Sequence, residues 1–360
     1  MTVGALSRGV LIATVVAMAS CAHSADEPDR SPDPEPTHEN RSLDNIAADV
    51  AGMAETYGPV TTGTIVLVRV GDQFKVITSG RSDKAHRTPM SADQTFPIAS
   101  ITKPMTAVVV LQLVAEGRLA LDEPVQPWLP ELADVRPPMT VEQLLSHRSG
   151  LPDATNADVM RLGFGTEAHL REAAADGLDF RPGTDGSYDN LGYAALGLLV
   201  ERVLDRPLSA VFQDRIFDAA AMTTASLGGD PDVVGYVNNR DSTPMLGLDL
   251  FPAAGSVVAS AGDIDAFLQS LWAGRLIDTD SLAQMRRGRG AVGFWWDDYG
   301  LGLAQAHFPC GDAFGHGGRI SGFTNETWTL TSEERSVVVM VNDDLNDSVA
   351  HILVQEALCD

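Results

Sequence analysis

Lysine is nearly missing from this chain. Among 25 Lys and Arg residues only Lys75, Lys84 and Lys103 are lysines, and they face 49 Asp and Glu, for a net charge of −24 over 360 residues. Such an acidic balance argues against nucleic acid and anionic membrane surfaces as partners; its ordinary use is solubility. Cysteine is scarce as well, with Cys21, Cys310 and Cys359 only. There is no Cys-x-x-Cys, no His-Glu-x-x-His and no acidic loop of calcium type, so no metal is inferred. No phosphate-cradling glycine loop follows a strand, and no cofactor is expected. What remains is an ordinary globular composition, 44% apolar and 21% charged, enough for a sizeable core.

The N-terminus reads as a targeting segment. Arg8 gives a thin positive start, and Val10 to Met18 is apolar but too short to span a bilayer as a mature helix. Ala19-Ser20-Cys21 follows and resembles a bacterial lipobox, with Met18 where Leu, Val or Ile is usual. On that reading residues 1–21 are a signal peptide and Cys21 carries the lipid; cleavage near Ala22 or Ala25 without lipid is the alternative. Residues 22–42 alternate acidic residues with proline and form a semi-extended tether. The chain is therefore expected to be exported and held to the membrane only by a lipid on Cys21, or else secreted. With Cys21 set aside, Cys310 and Cys359 form an even pair in an oxidising compartment, and a disulfide is expected; two buried free thiols are the alternative.

The folded domain, residues 43–360, shows strands at both ends and helices between. Leu43, Ile46, Ala47, Val50 and Met53 recur at helical spacing up to Tyr57. Thr64–Val70, Gly71-Asp72 and Phe74–Thr78 read as a hairpin. Ile101–Glu116 is apolar nearly all round and reads as a buried helix. Thr140, with Gln143 at the capping-box position, starts a short helix to Leu145. Asn190–Leu204, Gly262–Trp272 and Ser348–Leu358 are further helices, and Thr324–Thr331 and Ser336–Val341 are strands. The fold class is α+β, an antiparallel sheet completed by both chain ends with an inserted helical region.

Three constellations carry chemistry. In Ser100-Ile101-Thr102-Lys103 the serine and lysine lie one turn apart at the start of the buried helix. A serine hydroxyl needs a neighbour to take its proton, and a desolvated lysine is one such neighbour. A helix N-terminus also offers N–H groups to a developing oxyanion. In Tyr188-Asp189-Asn190 the phenol can relay a proton if a nearby cation lowers its pKa, and Asn190 can hold a substrate amide; Asn190 as an ordinary N-cap is the alternative. In His316-Gly317-Gly318-Arg319 two glycines let backbone approach a ligand. No Gly-x-Ser-x-Gly elbow surrounds Ser100. His147 reads as structural at a helix end.

The order Ser-x-x-Lys, Tyr-x-Asn, His-Gly-Gly, together with Leu144-Leu145-Ser146-His147-Arg148-Ser149-Gly150-Leu151-Pro152, resembles the serine penicillin-recognising superfamily. The branch is that of class C β-lactamases and the exported D-alanyl-D-alanine carboxypeptidases and esterases of the same fold. The resemblance implies a β-lactamase/transpeptidase-like fold and a serine hydrolase. It implies Ser100 as acylated nucleophile, Lys103 and Tyr188 exchanging its proton, and Asn190 orienting the substrate amide. His316 takes a place where many members carry Lys. It further implies an oxyanion hole from the N–H groups of Ser100 and Arg319, with Gly318 beside them. Two departures are Asp189, where a small residue is usual, and Arg319, where Ser or Thr follows the glycine. His316 in place of Lys favours carboxypeptidase or esterase members over true β-lactamases. The expected activity is thus D-alanyl-D-alanine carboxypeptidase-like, on a wall peptide. The rivals are a small-ester esterase, a β-lactamase, or a binding protein that takes β-lactams or wall peptides without turnover.

Overall fold

The computed structural model describes residues 41–58, 61–153, 165–248, 251–343 and 347–359. The expected signal peptide and residues 22–40 of the tether lie outside them. Both chain ends build one antiparallel sheet of eight strands. The N-terminal part supplies β1 (Gly63–Val70), β2 (Gln73–Asp83) and β3 (Thr88–Pro89). The C-terminal part supplies β4 (Asp298–Tyr299), β5 (Ala304–Phe308), β6 (Gly311–Ile320), β7 (Phe323–Leu330) and β8 (Arg335–Val341). The order is β3-β2-β1-β8-β7-β6-β5-β4, so β1 and β8 join the two ends with Val66 opposite Val339.

Strand alternation sorts the side chains onto two faces. Val66, Val68, Trp328, Val337 and Val339 pack under α1 (Leu43–Tyr57) and the C-terminal helix. Ile65, Leu67, Phe323, Val338 and Met340 point the other way, into the core of the helical region. Because β1 and β8 are covered on both faces, they read as near-continuous Val/Ile runs rather than as alternating ones.

The inserted region contains α2 (Thr102–Ala115), α3 (Val141–Leu145), α4 (Leu191–Leu204) and α5 (Ala261–Trp272); α6 (Asp347–Cys359) closes the fold. A capping box of Thr140 and Gln143 starts α3, and Ser260 with Asp263 starts α5. The expected helices form with ends displaced by about one residue. The hairpin's second strand runs on to Asp83, beyond the expected Thr78, because Gly80 still pairs with Gly63 and Arg81 with Pro89. Cys310 and Cys359 are joined as a disulfide with Cα atoms 5.0 Å apart, fastening the end of α6 to the start of β6.

Candidate active site

Phe96-Pro97 pairs with Ala259 and Val258, which fixes the chain just before the serine. Ala99 then turns through φ +49, the left-handed region that a non-glycine residue adopts only when its surroundings impose it. Ser100 follows in a single 3-10 turn, Ala99–Ile101, that leads into α2. On the other side stands Gly318 of β6. A Cβ there would lie 2.1 Å from the Ile98 carbonyl oxygen, so only glycine lets the strand meet the nucleophile turn.

Lys103 is fully buried on α2. Its Nζ lies 3.1 Å from Ser100 Oγ, 2.8 Å from Asn190 Oδ1 and 3.0 Å from the Ala254 carbonyl oxygen. Burial pulls its pKa down to about 7, against the upward pull of Asp189 and Asp153. In the neutral amine two N–H groups satisfy Asn190 and Ala254, and the lone pair is left for the Ser100 hydroxyl. That is the arrangement a general base requires.

Asn190 begins α4 without capping it; its side chain makes no cap hydrogen bond. Asp189 does that work, its Oδ1 accepting from the Gly192 N–H. Gly192 is glycine because a Cβ would sit 2.7 Å from that oxygen. The acidic residue that departs from the expected pattern thus frees Asn190. Asn190 then bridges Lys103 through Oδ1 and Asp153 through Nδ2, which donates at 3.1 Å, while its backbone N–H donates to the same Asp153 oxygen at 2.9 Å.

Tyr188 lies with its ring 4.7 Å from Lys103 Nζ and lines the same cavity as Ser100. Burial holds this phenol well above its usual pKa. The neighbouring amine does not lower it, since desolvation outweighs every favourable contact. Tyr188 is therefore held as a neutral phenol rather than a phenolate. Behind it sits His147, fully buried at φ +56, with ring centroids 4.3 Å from Tyr188 and 4.8 Å from Tyr299. Its Nδ1 accepts from the Asp189 N–H at 3.2 Å, and burial keeps the ring neutral.

The chain matches the sequence pattern of the Beta-lactamase family over residues 41–358. It belongs to that family. It is 30% identical over 297 residues to a D-aminopeptidase of Brucella anthropi, covering 78% of this chain and 56% of that protein. It is 38% identical over 163 residues to Esterase EstB of Burkholderia gladioli, covering 40% and 41%. Among solved structures, a D-amino acid amidase from Ochrobactrum anthropi SV3 superposes with TM-score 0.80 at 26% identity, over 88% of this chain and 97% of that one. A penicillin-binding protein from Bacillus halodurans, at 22% identity and TM-score 0.74, shares the fold. The chain spans 41% and 56% of the length of the two curated relatives named here. The curated relatives named here are a D-aminopeptidase and an esterase, and the Ser100 and Lys103 geometry above is what this family member brings to the comparison.

A cavity of about 880 Å³ opens over Ser100 in this family member. Ser100, Tyr188, Asn190, Gly318 and Arg319 line it. His316 does not. It is fully buried, Nδ1–H donating to the Gly317 carbonyl at 2.5 Å and Nε2 accepting from Tyr299 Oη at 3.1 Å, with its ring centroid 6.1 Å from that of Tyr188. Burial drives its pKa well below the usual imidazole value, so it is a neutral prop behind Tyr188 rather than the counterpart of a ligand-facing lysine.

The sequence reading missed Asp153 and the aromatic wall Phe294-Trp295-Trp296, both of which line the cavity. Asp153 directly follows the Leu151-Pro152 that ends the matched stretch, which is a usable signal. Phe294 and Trp295 are 52% and 50% exposed, and an aromatic triplet between glycine and aspartates is the kind of exposed apolar patch that marks a binding surface. β5 pairs with β6 only as far as Gly315, so the outer edge of β6 beyond it is not covered by β5 and faces the cavity at Gly317, Gly318 and Arg319.

Proposed function

We propose that this chain is an exported serine amidohydrolase that releases an amine or amino acid from a substrate bearing a free D-amino-acid residue, through an acyl-enzyme on Ser100. Neutral Lys103 takes the Ser100 proton as Oγ attacks the carbonyl carbon. The N–H groups of Ser100 and Arg319 receive the oxyanion. Tyr188 hands a proton to the departing amine and takes back the proton held on the adjacent Lys103 ammonium. Water then attacks the acyl-enzyme by the reverse relay, freeing the acid and restoring the hydroxyl.

The observation that carries this reading is Asp153. Its Oδ1 is pinned by two donors of Asn190, and the carboxylate stands at the cavity wall beside the reacting groups. It is suited to an α-ammonium group, two bonds from the attacked carbonyl carbon. The D-aminopeptidase and D-amino acid amidase similarity supports the same substrate class. Arg319, which also lines the cavity, favours a second reading, D-alanyl-D-alanine carboxypeptidase, because a guanidinium fits a terminal carboxylate. The esterase relative keeps simple acyl esters as a third substrate.

The test is hydrolysis of D-alanyl p-nitroanilide against N-acetyl-D-alanyl-D-alanine and p-nitrophenyl butyrate. Preference for the free amino terminus, lost in Asp153→Asn, supports the first reading. Cleavage of the acetylated dipeptide with none of the anilide overturns it. For export, the apolar stretch Val10–Met18, Cys21 and the Cys310–Cys359 disulfide all fit an oxidising compartment. Growth with radiolabelled palmitate tests the anchor, and an unlabelled mature chain removes it.

A further inference from the structure

The cavity does not stop at the nucleophile. It continues across the open edge of β6 onto the face of the sheet that carries α6, where Glu326, Ser348, His351 and Trp295 line it. Gly317 is the register partner of Glu326. A Cβ on Gly317 would meet nothing nearer than Trp296 Cζ2 at 3.8 Å, so the glycine leaves the space before the carboxylate open.

Glu326 is 7% exposed, a costly state for a carboxylate without a use. Its Oε2 accepts from Trp328 Nε1 at 2.9 Å and pairs at 3.8 Å with His351 Nδ1, whose pKa the carboxylate raises. Among the described residues Oε1 has no hydrogen-bond or ion-pair partner in the fold. The half-exposed Trp295 ring stands over the same arm, its centroid 4.6 Å from that of His351. A buried carboxylate with a spare oxygen and an indole lining the same arm are the two groups that recognise an ammonium ion. Arg319, two positions along β6 from Gly317, carries the opposite charge, so the Glu326 end is where a cation belongs.

Strand alternation puts Glu326 on the face opposite His316 and Thr327, whereas Lys103, Asn190 and Asp153 lie on the helical side. We propose that this arm is a leaving-group subsite in which Glu326 selects substrates whose departing amine carries a second, cationic amino group. The proposal rests on the amide-hydrolysis reading above, in which Asp153 already takes the ammonium of the acyl residue.

An isosteric pair tests it in the full chain: D-alanine N-pentylamide and D-alanine N-(4-aminobutyl)amide. The cationic amide is expected to be favoured in kcat/KM by about tenfold, the size of one charge-assisted contact, with Glu326→Gln bringing the ratio close to one. Gln keeps the acceptor for Trp328, and a ratio taken within one variant is insensitive to any loss of folded protein. An unchanged ratio in Glu326→Gln, or a wild-type ratio of one or less, overturns the proposal. A readout free of amide turnover is protection of Ser100 from a fluorophosphonate by pentylammonium. Protection present in the wild type and lost in Glu326→Gln supports the subsite even if neither amide is cleaved, which would sink only the amide reading. No protection in the wild type overturns the subsite even if both amides are cleaved.

Discussion

The pH dependence of acylation follows directly from the burial of Lys103. Moving an amine from its ordinary 10.5 to about 7 corresponds to about 5 kcal/mol against the charged form. At pH 7 roughly half the molecules hold the neutral base; an unshifted lysine would offer about one in several thousand. The rate of Ser100 acylation should therefore rise about tenfold per pH unit below neutrality and level off above it. A p-nitrophenyl ester or fluorophosphonate, followed from pH 5 to 10, reads this without dependence on the natural substrate. Asp189, raised by burial to about 7, titrates in the same range and must be separated from it. Its negative charge pushes the Lys103 pKa up, so Asp189→Asn, which keeps a capping oxygen for α4, should move the inflection to lower pH. An inflection that vanishes in Asp189→Asn would assign it to the carboxyl. A midpoint near 10 would mean that the lysine is not desolvated, and the proposed base would be lost.

Other outcomes follow from the same geometry. Lys103→Ala should slow acylation by about 10² or more while Ser100→Ala abolishes it, both with the fold retained by circular dichroism. Because the folded-state pKa of Lys103 lies below its unfolded value, the unfolded chain binds the extra proton between pH 7 and 10.5. Wild-type stability relative to Lys103→Met should thus rise with pH across that window, as read by urea midpoints. Gly318→Ala puts a methyl 2.1 Å from the Ile98 oxygen and should cost on the order of 1–3 kcal/mol, with a larger proportional loss of kcat as β6 backs away from Ser100. Removing the disulfide with Cys310→Ser, which opens a loop of sequence separation 49, should cost about 4 kcal/mol in thermal or urea unfolding.

What could be read from the chain was whatever depends on local pattern. Helical spacing from Leu43 to Tyr57 gave α1 with both ends, and Thr140 with Gln143 gave a capping box that is present. Ser100 and Lys103 were legible because three residues of helix fix their separation whatever the rest of the fold does. Roles that depend on the environment were not. The direction of the Tyr188 shift turns on desolvation, which no spacing reports. His316 looked exposed to ligand because two glycines follow it, yet strand alternation turns its ring inward to Tyr299 while its glycine neighbours face the cavity. Asp153 and Glu326 come from segments far apart in sequence and acquire meaning only from what the fold sets opposite them.

Asp189 shows how one such residue reshapes a motif. A helix that starts at Leu191 leaves N–H groups needing an acceptor, and Asn190 is the residue placed to cap them. An asparagine used that way could not also hold Lys103. The carboxylate one residue earlier takes the capping role through Gly192, and the amide side chain swings to bridge base and cavity wall. The buried charge this brings in would be prohibitive alone, but it lies near the amine it perturbs, and burial raises its own pKa to about 7. The same residue therefore fixes the geometry of the base and offsets part of the burial that sets the pH at which that base becomes available.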